Sequence, residues 1–170
     1  MILFGTMEQS LNLDYHALWE HIESGFALGP CSLHGPKHWQ RVEQFGLQLA
    51  SSNGADITVV RLFAVLHDSK RFDDFEDAGH GLRGADHAQQ LRHDWFEIDD
   101  ERFKLLYEAI AYHADGETSD DVTIGTCWDA DRLDLGRVGI APSAKYLSTE
   151  AARKMIEAPT SYSKASYRLD

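Results

Sequence analysis

Apolar residues recur along the chain at intervals of three and four, the spacing of one helix face. The pattern is clearest after Pro36, a residue that suits the first turn of a helix. One face of this predicted helix carries four apolar side chains, Trp39, Val42, Phe45 and Leu49. The polar run at 51–54 ends the pattern, so a helix is predicted from Pro36 to about residue 50.

The next segment is apolar nearly all round. Asp56 suits its N-cap, and seven apolar residues follow between Val59 and Leu66. A helix without a polar face is expected at the centre of a bundle. Further helices are predicted at about 15–23, 82–92, 103–113, 129–135 and 149–157.

These elements predict one all-α domain that covers residues 1–170 as a compact helical bundle. No proline lies between residues 37 and 141, and so long a proline-free stretch favours successive helices. Strand patterns are weak, and the length suits a single domain. We expect a core at about 34–140, preceded by the early helix and followed, after 142, by a C-terminal helix and a polar tail.

Charge narrows the possible partners. The chain has 16 Lys and Arg against 28 Asp and Glu, a net charge of −12, which argues against bulk nucleic acid and against a polybasic membrane contact. The N-terminus lacks the basic region of a signal peptide, and the two cysteines form no CxxC pair. We therefore expect a cytoplasmic protein; its oligomeric state, and a start at Met1 or at Met7, stay open.

Four titratable side chains occupy apolar positions or the ends of apolar helices, namely His38, His67, Asp68 and Asp131. Taken singly, such residues are more often hydrogen-bonded core histidines or helix caps. A buried charge needs a partner or a metal, however, and two imidazoles with two carboxylates suit a divalent ion. A metal would also explain how so acidic a chain holds an anionic substrate.

The order and surroundings of these residues resemble the HD-domain superfamily of metal-dependent phosphohydrolases, in particular its small bacterial-type members. The matching sequence segments are HWQRV around His38, FAVLHD ending at Asp68, and DADRLDLG around Asp131. The resemblance covers residues 34 to about 140 and implies an all-α bundle. It further implies that these three residues and His67 bind a divalent ion (Mn, Mg, Fe, Ni, Co or Zn).

Some members of the superfamily carry two further histidines before the final Asp, which bind a second metal or phosphate. His80 and His113 are the best matches, so the resemblance implies one or two ions per chain. Nucleotidase members place a Glu three residues after the Asp of the His-Asp pair, where this chain has Arg71. Transfer of their specificity for nucleotides is therefore not supported.

The run GHGLRG at 79–84 matches GxGxxG, but the acidic residues before it cannot form the buried strand of a dinucleotide site. It predicts instead a helix start that attracts phosphate. His80, Arg83 and His87 share one face of this helix, which makes them candidates for an anion cradle, although His87 fits a solvated surface nearly as well.

The resemblance implies hydrolysis of a small phosphoester, a nucleotide or a phosphometabolite, by metal-activated water. Asp68 would bridge metal and water, while Lys70, Arg71 and Arg83 would offset charge on the phosphoryl oxygens. His34 would contact a metal ligand without itself binding the ion.

Two alternatives stay open. An HD-type di-iron oxygenase would need His80 and His113 as ligands. A non-catalytic sensor would bind a metal or nucleotide without turnover.

Overall fold

A computed structural model describes residues 14–157 of the protein, and these residues form helices joined by loops. The helices are α1 (Tyr15–Ser24), α2 (Pro36–Asn53), α3 (Ile57–Leu66), α4 (His80–Leu91), α5 (Asp100–Tyr112), α6 (Val122–Leu133) and α7 (Glu150–Glu157). Within residues 14–157, the only β-type pairing is an isolated β-bridge between Arg92 and Phe96. The predicted all-α fold is confirmed; the predicted polar tail and the start at Met1 or Met7 lie outside the described residues.

Local sequence explains where most helices begin. Four of them are capped by an aspartate whose carboxylate accepts a hydrogen bond from a free N–H group of the first turn: Asp14, Asp56, Asp99 and Asp121. Helix α2 instead has Pro36 in its first turn, and it ends at Gly54, whose φ of 78° lies in the left-handed region that glycine favours.

The largest difference from the predicted helices concerns α6, which begins at Val122 rather than near residue 129. Its first half carries Thr123, Gly125 and Thr126, which interrupt the apolar periodicity, although they are buried. A Cβ on Gly125 would lie 2.8 Å from the Cβ of Ser148, so the small residue permits close packing rather than breaking the helix.

Helix α3 lies at the centre of the bundle and packs against α2, α5 and α6. Glycines permit the closest approaches between helices. A Cβ on Gly46 of α2 would lie 2.5 Å from Val60 Cγ1, and one on Gly84 of α4 would lie 2.8 Å from the carbonyl oxygen of His67. These contacts bring the first turns of α2 and α4 to the C-terminal end of α3.

Among the helices of residues 14–157, none has the length and apolar character needed to cross a bilayer.

Candidate metal centre

Four histidines from four helices meet beside the C-terminal end of α3. His38 lies in the first turn of α2, His67 directly follows α3, His80 begins α4 and His113 directly follows α5. All four are buried. Their Nε2 atoms face one another in two pairs, 3.1 Å apart for His38 and His67 and 3.0 Å apart for His80 and His113.

The other ring nitrogen of each histidine is already engaged with an acceptor. The Nδ1 atoms of His67, His80 and His113 lie 2.7–3.2 Å from backbone carbonyl oxygens, and that of His38 lies 2.7 Å from the Asp134 carboxylate. Because these oxygens only accept, we assign the hydrogen to Nδ1 in each ring. The facing Nε2 lone pairs within each pair then repel each other unless a positive charge lies beside them.

Asp68 lies between the two pairs of histidines. Its Oδ2 atom is 3.6 Å from His38 Nε2 and 3.5 Å from His67 Nε2, while its Oδ1 atom is 3.4 Å from His80 Nε2 and 3.5 Å from His113 Nε2. The Oδ1 atom is buried and has no hydrogen-bond partner among the described residues. An unpartnered buried acceptor costs about 1–3 kcal/mol or more, a cost that a bound cation would remove.

Asp131 lies beside the first pair of histidines, His38 and His67. Its Oδ1 atom lies 3.2 Å from His38 Nε2 and 3.7 Å from His67 Nε2, and its side chain is 20% exposed, which opens this cluster to solvent. Asp129, two residues earlier, instead accepts hydrogen bonds from the backbone N–H groups of Ser148 and Thr149. The structure therefore brings Asp131, and not Asp129, to the histidines.

The ligand atoms form two half-sites that share Asp68. The first half-site consists of His38, His67, Asp131 and the Oδ2 atom of Asp68; the second consists of His80, His113 and the Oδ1 atom of Asp68. Separations of 3.0–3.7 Å suit ligands that each lie about 2.0–2.2 Å from a shared ion. Imidazole and carboxylate donors together fit divalent transition metals such as Mn, Fe, Co, Ni and Zn.

The electrostatics of the site favour a positive charge among the ligand atoms. Burial would lower the pKa of His38 and of His113, but contacts with the carboxylates of Asp131 and Asp134, and with that of Asp68, outweigh it and raise both values. Burial lowers the pKa of His67 to about 3, so this ring is neutral at pH 7 and can donate its lone pair. Burial also lowers the pKa of His80. Burial would raise the pKa of Asp68 and of Asp131, but the neighbouring histidines outweigh it and hold both values below the ordinary range. Both carboxylates are therefore ionised at neutral pH.

Asp134, which the sequence analysis did not single out, holds His38 in place. It is fully buried and accepts from His38 Nδ1 at 2.7 Å and from Arg41 Nε and Nη2 at 2.6 and 3.0 Å. A carboxylate behind a ligating imidazole fixes the orientation and the tautomer of the ring. The sequence could have indicated Asp134 through its position three residues after Asp131, because this spacing keeps two residues on one helical face.

Two further predicted residues reach Asp68. The ring of His34 lies on the outer side of the first half-site, with Nδ1 2.8 Å from Asp68 Oδ2. The guanidinium of Arg71 is buried, with Nη1 3.8 Å from Asp68 Oδ1.

Within residues 14–157, the side chains of Lys70 and Arg83 make no hydrogen bond to the four histidines of the half-sites. Arg83 donates to the carbonyl oxygen of Lys70 and to the carboxylate of Asp77. Together with His87, the two basic side chains line a shallow surface depression of about 260 Å³. The tertiary structure thus separates this basic group from the two half-sites.

Comparison with known proteins supports the fold. The structure is similar to a crystal structure of a predicted HD superfamily hydrolase from an uncultured Thermotogales bacterium, with a TM-score of 0.70 and 26% sequence identity over 89% of this chain and 87% of that chain. No family model and no curated protein matches the sequence. The helical bundle and this similarity together show that the chain has an HD-domain fold.

Proposed function

We propose that the protein is a divalent-metal-dependent phosphohydrolase that acts on a small phosphoester, either a nucleotide or a phosphorylated metabolite. The observation that carries the proposal is the first half-site, where two buried imidazoles and two carboxylates converge beside an opening at Asp131. The similarity to a predicted HD superfamily hydrolase supports a hydrolytic reaction.

A divalent ion at this position would polarise a phosphoryl oxygen and lower the pKa of water. His38 and His67 would hold the ion through Nε2, because their Nδ1 atoms are engaged with Asp134 and with backbone carbonyls. Asp68 would hold it through Oδ2. Its Oδ1 atom, which has no hydrogen-bond partner among residues 14–157, would then accept the proton of the attacking water.

The proposed substrate is an anion, whereas the chain carries a net charge of −12. The positive charge must therefore be local. Arg71 contributes a buried guanidinium 3.8 Å from Asp68, and the ion contributes the rest. A small phosphoester suits this arrangement because it needs one compact positive site rather than an extended basic surface.

The proposal is tested with metal-stripped full-length protein, to which Mn, Mg, Fe, Co, Ni or Zn is added before phosphate release is measured on a panel of phosphoesters. Phosphate release is expected with at least one of these ions. Asp68→Ala is expected to lose both metal binding and activity. The matched control Asp94→Ala removes an exposed carboxylate after α4 and should keep both.

Folded, metal-replete protein that releases no phosphate across the panel would contradict the proposal. Tight nucleotide binding without phosphate release would indicate a sensor instead.

One observation favours a second candidate, the di-iron oxygenase. The Nε2 atoms of His80 and His113 lie 3.4 and 3.5 Å from Asp68 Oδ1, so the second half-site offers ligands for another ion. This candidate requires two irons per chain and oxygen consumption by the iron-loaded protein. One ion per chain without a preference for iron excludes it.

A further inference from the structure

The guanidinium of Arg71 is fixed beside the second half-site by its own loop. Its Nε atom donates to the carbonyl oxygen of Asp73 at 2.9 Å, and Nη2 donates to that of Phe75 at 3.3 Å. The residue is 7% exposed. Because these two bonds hold one edge of the guanidinium, the remaining nitrogen, Nη1, is directed inward.

The inward nitrogen lies against His80. Arg71 Nη1 is 3.1 Å from Nε2 and 3.3 Å from Nδ1 of that ring, and 3.8 Å from Asp68 Oδ1. Nearly equal distances to both ring nitrogens place Nη1 over the ring rather than in line with one lone pair. A guanidinium remains protonated throughout the physiological pH range, so a permanent positive charge lies against the ligand atoms of the second half-site.

We infer that Arg71 supplies the positive charge of the second half-site in place of a metal ion, so that each chain binds one divalent ion, at the first half-site. The inference rests on the proposed function, because it concerns the same metal centre. A second divalent ion would lie close to a buried guanidinium, where little water screens their repulsion. The guanidinium of Arg71 and the Oδ1 atom of Asp68, 3.8 Å apart, instead compensate each other's charge.

The other charged side chains near the two half-sites are distributed in agreement with an ion at the first half-site and Arg71 at the second. The first half-site has the carboxylate of Asp131 in addition to that of Asp68, whereas Asp68 supplies the one carboxylate that the described part of the chain places at the second. Two further arginines, Arg41 and Arg137, lie near the first half-site and pair with Asp134, behind the Nδ1 side of His38. Arg137 also reaches His34, with Nη2 3.4 Å from Nδ1 of that ring. Among residues 14–157, neither guanidinium bonds to Nε2 of His38 or His67, and an ion at the first half-site would face two carboxylates.

One consequence concerns the reaction. With a single ion, His80 and His113 lie beside Arg71 and do not act as metal ligands. The di-iron alternative then lacks its second iron.

The number of ions per chain tests the inference directly. Metal-stripped full-length protein is titrated with Mn²⁺ by calorimetry, and bound manganese is counted by elemental analysis. The unaltered protein should bind one ion. Arg71→Gln removes the charge and should admit a second ion, with an exchange-coupled manganese signal in electron paramagnetic resonance. Adding His80→Ala to that variant should return the count to one.

Arg83→Gln is the matched control, since it removes a neighbouring guanidinium that bonds to Asp77 rather than facing Asp68; its count should stay at one. Two ions per unaltered chain would overturn the inference, even if Arg71→Gln failed to fold. One ion in folded Arg71→Gln would overturn it as well.

The two proposals fail separately. One ion without phosphate release contradicts the proposed function alone, whereas two ions with phosphate release contradict only the role of Arg71.

Discussion

The hydrogen bond between His38 and Asp134 determines how one ligand of the candidate centre presents its lone pair. The bond is 2.7 Å long, and both side chains are buried. Burial would raise the pKa of Asp134, but the hydrogen bonds from His38 and Arg41 outweigh it, so the carboxylate stays ionised and continues to accept from Nδ1. His38 Nε2 is thereby directed toward the first half-site.

Asp134→Asn tests this role. The amide keeps the size of the side chain but loses the charge that aligns His38 and pairs with Arg41, so divalent-metal affinity should fall by about 10–100-fold. Calorimetric titration with Mn²⁺ measures the change. Asp94→Asn, in an exposed turn, provides the control. An unchanged dissociation constant in folded Asp134→Asn would show that Asp134 does not position His38.

His87 gives a residue-scale prediction for acid stability that does not involve the metal centre. Burial, followed by the nearby charges of Lys70 and His21, lowers its pKa to about 4, against about 6.5 in the unfolded chain. The unfolded state therefore binds more protons between these values, and the stabilising contribution of neutral His87 is lost as the pH falls from about 6.5 to 4.

His87→Gln should consequently lose less unfolding free energy between pH 7 and pH 5 than the unaltered protein does. Urea denaturation of metal-stripped protein at both pH values measures the difference. Equal losses in the two proteins would mean that His87 does not resist protonation in the folded state.

At the scale of elements, close contacts between helices set the position of the histidines. Helix α4 crosses the end of α3 at Gly84, where a Cβ would lie 2.8 Å from the carbonyl oxygen of His67 and 3.1 Å from that of Leu66. Because His80 lies one turn before Gly84 on α4, any displacement of this helix also moves His80 relative to Asp68.

Gly84→Ala should therefore destabilise the protein by about 1–3 kcal/mol through overpacking, although alanine favours a helix more than glycine does. Gly25→Ala is the control, since its Cβ would meet nothing closer than 3.7 Å. Urea denaturation compares the two variants. Equal unfolding free energies for Gly84→Ala and the unaltered protein would show that α4 can shift without cost.

At the scale of the whole molecule, the candidate centre joins α2, α3, α4, α5 and α6 through residues within or directly following these helices. An ion bound there links elements that are distant in sequence and are brought together only on folding. Binding is thus coupled to the stability of the bundle.

Saturation with Mn²⁺ at 100 times its dissociation constant should stabilise the folded state by about 2.7 kcal/mol. For a chain of this size the melting temperature should rise by roughly 5–11 °C. Thermal denaturation with and without the ion measures the shift, and a chelator should reverse it. An equal shift in Asp68→Ala would place the bound ion elsewhere.

The sequence by itself determined the helical class and the order of the ligand candidates, because both depend on local spacing. Apolar periodicity locates most helices, Asp56 marks the beginning of α3, and the order His38, His67–Asp68 and Asp131 is visible in the linear chain. The beginning of α6 was not predictable from apolar periodicity. Its first residues are small and buried because they pack closely against the segment around Ser148, a contact that only the tertiary structure shows.

Only the tertiary structure decided which basic and acidic groups meet the candidate ligands. Lys70, Arg71 and Arg83 are similar candidates in the sequence, but the loop after α3 directs Arg71 inward and leaves the other two on the surface. Asp134 likewise reaches His38 across 96 positions of sequence. Such contacts depend on how helices pack and on which loop carbonyl groups hold a side chain in place. Local spacing in the sequence specifies neither.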